Sequence, residues 1–164
     1  MRDDRPPRDA ALEALDVFVG EWMLAASFPT GAPPALAGSA AAGRATFEWT
    51  LGGRFLAQRV EIDEPDAPDS SAIIGVDPEG GAYTQHYFDS RGVARLYAMT
   101  IAAGVWTLLR DKPDFTPLRF SQRFTGTFSE DGTTIAGRWE RTEGSSWVHD
   151  FDLTYTRVRP SSRV

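Results

Sequence analysis

From Glu21 onward the chain reads as short runs in which apolar and polar side chains alternate, separated by glycine-bearing breaks. A period of two marks strands with one buried face. Ten runs fit it: EWMLAASF, RATFEWT, RFLAQRVEI, SAIIGVD, AYTQHYFD, VARLYAMTI, VWTLLRD, RFSQRFTGTF, TTIAGRWERT and WVHDFDLTYTRV. They are rich in aromatic and β-branched residues, and the breaks LGG, PEGG, SRG, AAG, EDG and EGS supply turn chemistry. Most breaks are of hairpin length, so neighbours in sequence are expected to pair antiparallel. Helical spacing occurs once, at Leu12, Leu15 and Phe18, with Asp9 as N-cap and Gly20 as the stop.

This pattern predicts an all-β fold: a ten-stranded antiparallel up-and-down barrel with a short N-terminal helix, closed so that no sheet edge is exposed. A cone-shaped α+β barrel would require two or three longer helices, which the pattern lacks. Two longer breaks interrupt the strands. Residues 29–43 are a run of small residues expected to form a flap, and residues 64–70 are an acidic loop. Strand-like sequence flanks both, so neither is a domain linker. One domain is expected over residues 9–158, between a disordered N-terminus (1–8) and a short tail (159–164), in keeping with a length of 164 residues.

Registering the hairpins assigns faces. The turn Ser90-Arg91-Gly92 places Tyr83, Gln85 and Tyr87 on one face with Arg95, Tyr97 and Met99, and the next turn carries that face on to Trp106, Leu108 and Arg110. His86, Phe88, Leu96 and Ala98 take the other. The simplest register of the last two hairpins pairs Gln122 with Trp139 and Phe124 with Gly137, then Trp139 with His149 and Gly137 with Phe151. It sets Arg138 beside Asp150 on the outside; a one-residue slip would instead put Asp150 opposite Trp139. A small solid core does not accept Arg95 and Arg110, whereas a hollow barrel holding water and a polar-headed ligand does. We take the polar face as the inner wall; the opposite choice gives a bland core and an outward ladder of Arg and Tyr.

Charge and composition narrow the partners. A net charge of −6 with no basic stripe argues against nucleic acid and anionic membranes. The absence of cysteine excludes disulfides, thiolate catalysis, Fe–S clusters and zinc–cysteine sites. No apolar run approaches the roughly 18 residues of a membrane helix, and the first ten residues have no signal-like core, so a cytoplasmic location is expected. A homodimer is left open.

Gly20-Glu21-Trp22 at the start of the first strand, with Arg157 near the end of the last, resembles the calycin pattern of lipocalins, fatty-acid-binding proteins and nitrobindin. The resemblance implies that Trp22 closes one barrel end and that Arg157 lies over it. TLGGRFL, YFDSRGVARLY, FSQRFTGTFSEDGTTIAGRWE and DFDLTYTRV look like a bacterial family of calycin-like small proteins, which implies a fold and no particular activity. Resemblance to nitrobindin would imply haem on His149. That pattern, however, continues with two further glycines where this chain has Leu24 and Ala26.

The expected function is binding of a small, largely apolar ligand with an acidic or oxygenated head group. The expected lining is Tyr83, Gln85, Tyr87, Arg95, Tyr97, Arg110, Gln122, Trp139 and His149. Arginine suits the head group because its planar fork donates two parallel hydrogen bonds. A second reading is a cofactor-free isomerase or cyclase with His149 as general base beside Tyr87 or Tyr97. A third is haem ligation by His149. No cofactor and no metal site are otherwise expected: two histidines on distant strands make a poor zinc set. Arg123, Arg138, Glu140, Asp150 and Asp152 read as a solvated outer face, and Trp22, Phe47 and Trp49 as barrel-closing core.

Overall fold

The computed structural model describes residues 9–29, 38 and 40–159. Ten strands follow a short helical segment: β1 (Gly20–Ser27), β2 (Ala40–Thr50), β3 (Phe55–Ile62), β4 (Ser70–Val76), β5 (Tyr83–Asp89), β6 (Ala94–Ala102), β7 (Val105–Arg110), β8 (Gln122–Phe128), β9 (Thr134–Glu143) and β10 (Ser146–Arg157). Each pairs antiparallel with its neighbours in sequence, and β10 closes the barrel on β1, from Trp22–Arg157 to Ser27–Asp152. The expected all-β ten-stranded antiparallel barrel is therefore the observed one. No helix of the described residues is long and apolar enough to cross a membrane.

The N-terminal segment is one α-turn, α1 (Ala10–Glu13), whose N-cap Asp9 accepts from the Ala11 N–H, followed by a 3₁₀ turn over Ala14–Phe18. A spacing of three suits 3₁₀ geometry, in which residues i and i+3 eclipse. Leu12, Leu15 and Phe18 thus form one line, and all three are buried. They plug the barrel end. Phe18 packs on Phe47, Trp106 and Phe128 at centroid distances of 5.3, 4.9 and 5.4 Å. The plug is also pinned by polar contacts: Trp22 Nε1 donates to the Phe18 carbonyl (2.8 Å), Trp49 Nε1 to Asp16 (2.9 Å) and the Tyr83 hydroxyl to the Ala11 carbonyl (2.5 Å). Arg157 lies 4.2 Å from the Trp22 ring centroid and donates to the carbonyls of Val17 and Val19. One guanidinium therefore joins the last strand, the first strand and the plug.

Strand β2 starts at Ala40, inside the run expected to be a loop, because Ala40–Gly43 pair with Leu24–Ser27. Gly43 allows the close approach to β3, where a Cβ would collide with the Glu61 carbonyl oxygen. The remainder of the expected flap (30–37 and 39), the N-terminal 1–8 and the tail from 160 lie outside the described residues.

Two registers differ from expectation. The β8–β9 hairpin pairs Phe124 with Trp139 and Gly126 with Gly137, two residues from the simplest register, so the faces are kept. The cause is a longer turn built on Asp131, whose carboxylate accepts from Ser129 Oγ, Thr133 Oγ1 and the Thr133 N–H. These hydrogen bonds hold the Asp131 carboxyl down at about 2. The β9–β10 hairpin turns at Gly144-Ser145, with Gly144 at φ 61°. That places His149 opposite Glu140, not Trp139. A bulge between His149 and Phe151 then resets the phase, giving Phe151–Trp139, Leu153–Gly137 and Asp152–Arg138.

Gly126 and Gly137 make room for the Phe124 ring; a Cβ on Gly137 would meet the Leu153 carbonyl and the ring, both at 2.5 Å. Gly137→Ala is expected to destabilise the barrel by about 1–3 kcal/mol in urea unfolding. Phe18→Ala is expected to cost about 3–5 kcal/mol by the same measurement, because the cavity it leaves is walled by strands that cannot collapse.

Candidate functional site

Alternation along the strands decides what faces the barrel interior. In the β5–β6 hairpin the observed pairs Tyr83–Met99, Gln85–Tyr97 and Tyr87–Arg95 put these side chains on the inner wall. β7 continues the wall with Trp106 and Leu108, β8 with Gln122 and Phe124, and β9 with Trp139 and Arg141. The plug fills one end. Toward the other end the wall encloses a cavity of about 700 Å³. Its apolar lining includes Ala26, Trp106, Leu108, Phe124, Leu153 and Tyr155; Gln58, Gln85, Tyr97 and Gln122 interrupt it, and its mouth carries Phe28, Ile62, Arg91, Arg95, Phe120, Arg141, Asp150 and Phe151. A cavity of this size falls in the usual range for small-molecule sites.

Six of the nine expected lining residues face this cavity: Gln85, Tyr87, Arg95, Tyr97, Gln122 and Trp139. Three do not. Tyr83 is spent on the plug, through its hydroxyl bond to Ala11. Arg110 is buried, but its fork is filled by Asp114, with Nε–Oδ2 at 2.7 Å and Nη2–Oδ1 at 2.9 Å. The Arg110 guanidinium holds the Asp114 carboxyl well below the usual carboxylate range, helped by N–H donors from Leu96 and Thr116. His149 stands outside the wall, with Nε2 2.9 Å from Asp152 Oδ1. His86 is also on the outer face, beside Phe115. Neither imidazole faces the cavity, so the residues present do not fit a histidine-ligated haem there, and His149 is not placed to act as a base on a cavity ligand.

The cavity's own polar groups are mostly donors. Burial pushes the Tyr87 phenol up, and it donates to Asp89 Oδ2 (2.9 Å), which also pairs with Arg91 (2.7 Å). Burial likewise raises the Tyr97 phenol, against the pull of the Arg95 and Arg110 charges, and its hydroxyl donates to Gln122 Oε1 at 3.2 Å. Phenols held protonated are hydrogen-bond donors rather than bases. Among the described residues, Gln85 Oε1 and Trp106 Nε1 are buried without a partner. Arg95 rests near the Phe120 ring, 5.7 Å from its centroid, and has no ion pair within 4 Å among the described residues.

Several lining residues were not expected. Gln58 shares the period-two phase of Leu56, Val60 and Ile62 and was recoverable from it. Tyr155 lay in the apolar stripe of β10. Phe120 falls just before β8, in a stretch read as strand. Alternation predicts Asp150 on the outer face; the bulge turns it to the cavity lining. The remaining outer charges behave as expected: Arg123 pairs with Glu140 at 2.9 Å and stacks on Trp147.

The molecule thus belongs, by architecture, to the closed ten-stranded antiparallel barrels with one end plugged and a cavity toward the other. The crystal structure of Rv2717c from M. tuberculosis is similar, with a TM-score of 0.67 and 14% identity over 93% of this chain and 100% of that one. At this identity the likeness concerns the fold. No protein-family model matches the chain, and no curated protein matches it in sequence.

The Arg110–Asp114 pair has a direct consequence for stability. Asp114→Ala should destabilise by about 3–5 kcal/mol, because it leaves a buried guanidinium unpaired. The pair's contribution is complete above the unfolded aspartate pKa of about 4 and is lost as pH falls toward the depressed folded value. Urea midpoints measured from pH 6 down to pH 3 should therefore fall more steeply for the wild type than for an Arg110→Met/Asp114→Leu double variant.

Proposed function

We propose that the barrel binds a small, largely apolar molecule with an acidic or oxygenated head group, its body against the aromatic wall and its head at the mouth. The observation that carries this reading is the pairing of an apolar cavity of about 700 Å³ with a guanidinium, Arg95, at the mouth that no carboxylate of the described residues holds. Arginine is costly to place beside apolar walls unless something accepts its hydrogen bonds, and a bound oxyanion or carbonyl does so. Tyr97 and Gln122 add polar contacts beside it. The calycin resemblance points the same way: Arg157 over Trp22 is the closure that it implies, and fatty-acid-binding proteins are expected, by that resemblance, to hold a carboxylate with an Arg–Tyr arrangement.

The test uses 8-anilinonaphthalene-1-sulfonate, an apolar fluorophore with a permanently charged oxyanion. Wild type is expected to bind it with a fluorescence rise. Arg95→Ala should weaken binding by roughly tenfold or more, the worth of a charge-assisted hydrogen bond. Leu153→Trp, which fills the cavity, should abolish it. Unchanged binding in Arg95→Ala overturns the head-group role, and unchanged binding in Leu153→Trp overturns the cavity as the site.

A further inference from the structure

The bulge in β10 places two consecutive side chains, Asp150 and Phe151, on the cavity lining, where a regular strand would place one. The Asp150 carboxylate is about one-fifth exposed, and its sole ion pair among the described residues is a long one, Arg141 Nε–Oδ1 at 3.7 Å. That arginine is already committed to Glu143 at 2.7 Å. Asp150 accepts no hydrogen bond of normal length from any described residue. The charges that face it are Arg141 of β9, Arg95 of β6 and the neighbouring His149, and burial outweighs them in raising its carboxyl. A carboxylate brought toward an apolar cavity without donors is an unsatisfied acceptor. Asp150 and Arg95 line the same cavity, and the Arg95 charge acts on the Asp150 carboxyl. The cavity lining therefore carries both a donor fork and an acceptor that receives no hydrogen bond of normal length.

We infer that Asp150 is a specificity determinant: the ligand's head group donates a hydrogen bond to the Asp150 carboxylate while accepting from Arg95. The ligand class is then a donor-bearing oxygenated amphiphile, such as a hydroxy acid, rather than a plain carboxylate. A plain carboxylate would meet Arg95 favourably but face Asp150 with like charge and leave it unpaired. This inference rests on the cavity-binding reading above and adds the chemistry of the head group.

The test compares dodecanoate with 2-hydroxydodecanoate, each displacing the fluorophore from wild type, Asp150→Ala and Asp150→Asn. In wild type the hydroxy acid should bind roughly tenfold tighter than the parent acid, the discrimination expected of one charge-assisted hydrogen bond. Asp150→Ala should bring the two acids to within about twofold, and Asp150→Asn, which removes the charge at constant shape, should tighten the parent acid several-fold. Equal affinities in wild type, or a preference that survives in Asp150→Ala, overturn the role of Asp150 while leaving cavity binding standing. Failure of both acids to displace the fluorophore from wild type overturns both. Should Asp150→Ala fail to fold, the Asp150→Asn titration decides: an unchanged affinity for dodecanoate counts against the inference.

Discussion

The constraint on which this barrel turns is the double pairing of β10. One edge must match β9 through a tight Gly144-Ser145 turn, and the other must match β1 so that Arg157 reaches Trp22. A tight turn followed by unbroken alternation would carry the outward phase of His149 along the whole strand. Phe151, Leu153 and Tyr155 would then face outward, and the barrel would lose three inner side chains. One extra residue, Asp150, resolves the conflict. His149 stays outside against Asp152, and the three apolar residues return to the interior. The same residue that reconciles the two registers is thereby delivered to the mouth, so closure of the fold and chemistry of the site share one device.

Legibility in the sequence tracks how local each constraint is. The β5–β6 hairpin was readable residue by residue, because Ser90-Arg91-Gly92 fixes the register and Gly92 at φ 82° supplies the left-handed position. The closed order of ten strands was readable because the turns are short. The bulge was not: Trp147, His149, Phe151, Leu153 and Tyr155 alternate without a break, so the pattern conceals the extra residue. Arg110 was read as a ligand contact because its partner lies in an irregular segment four residues on, where pairing rules do not reach. Tyr83 was read as lining for a related reason, since nothing local reveals that the N-terminal plug will take its hydroxyl.

Whether such a barrel is solid or hollow follows from side-chain size against circumference. Near the plug, Phe18 stacks on Phe47, Trp106 and Phe128 meet Phe18 edge to face, Trp22 meets Phe128 the same way, and the closed end fills. Further along, the facing positions include Ala26, Ala72 and a pair of glycines, Gly126 and Gly137, and aromatic rings such as Phe124 occupy the space the glycines leave. Ten strands are wider than such side chains can span, so space remains toward the mouth. Charges there are mostly cancelled in place: Arg91 by Asp89, Arg141 by Glu143, Arg110 by Asp114. Those pairs are internal and ask nothing of a ligand. Arg95, Asp150 and Asp66 are the lining charges that no short ion pair among the described residues cancels, and Arg95 and Asp150 give one donor and one acceptor at the edge of a low-dielectric space. In such a space each unmet hydrogen bond costs more than it would at the surface. The demand of the site is therefore shared by the Arg95 and Asp150 charges at the mouth and the buried, unpartnered Gln85 Oε1 and Trp106 Nε1 on the wall, while the aromatic rings supply affinity without discriminating among head groups.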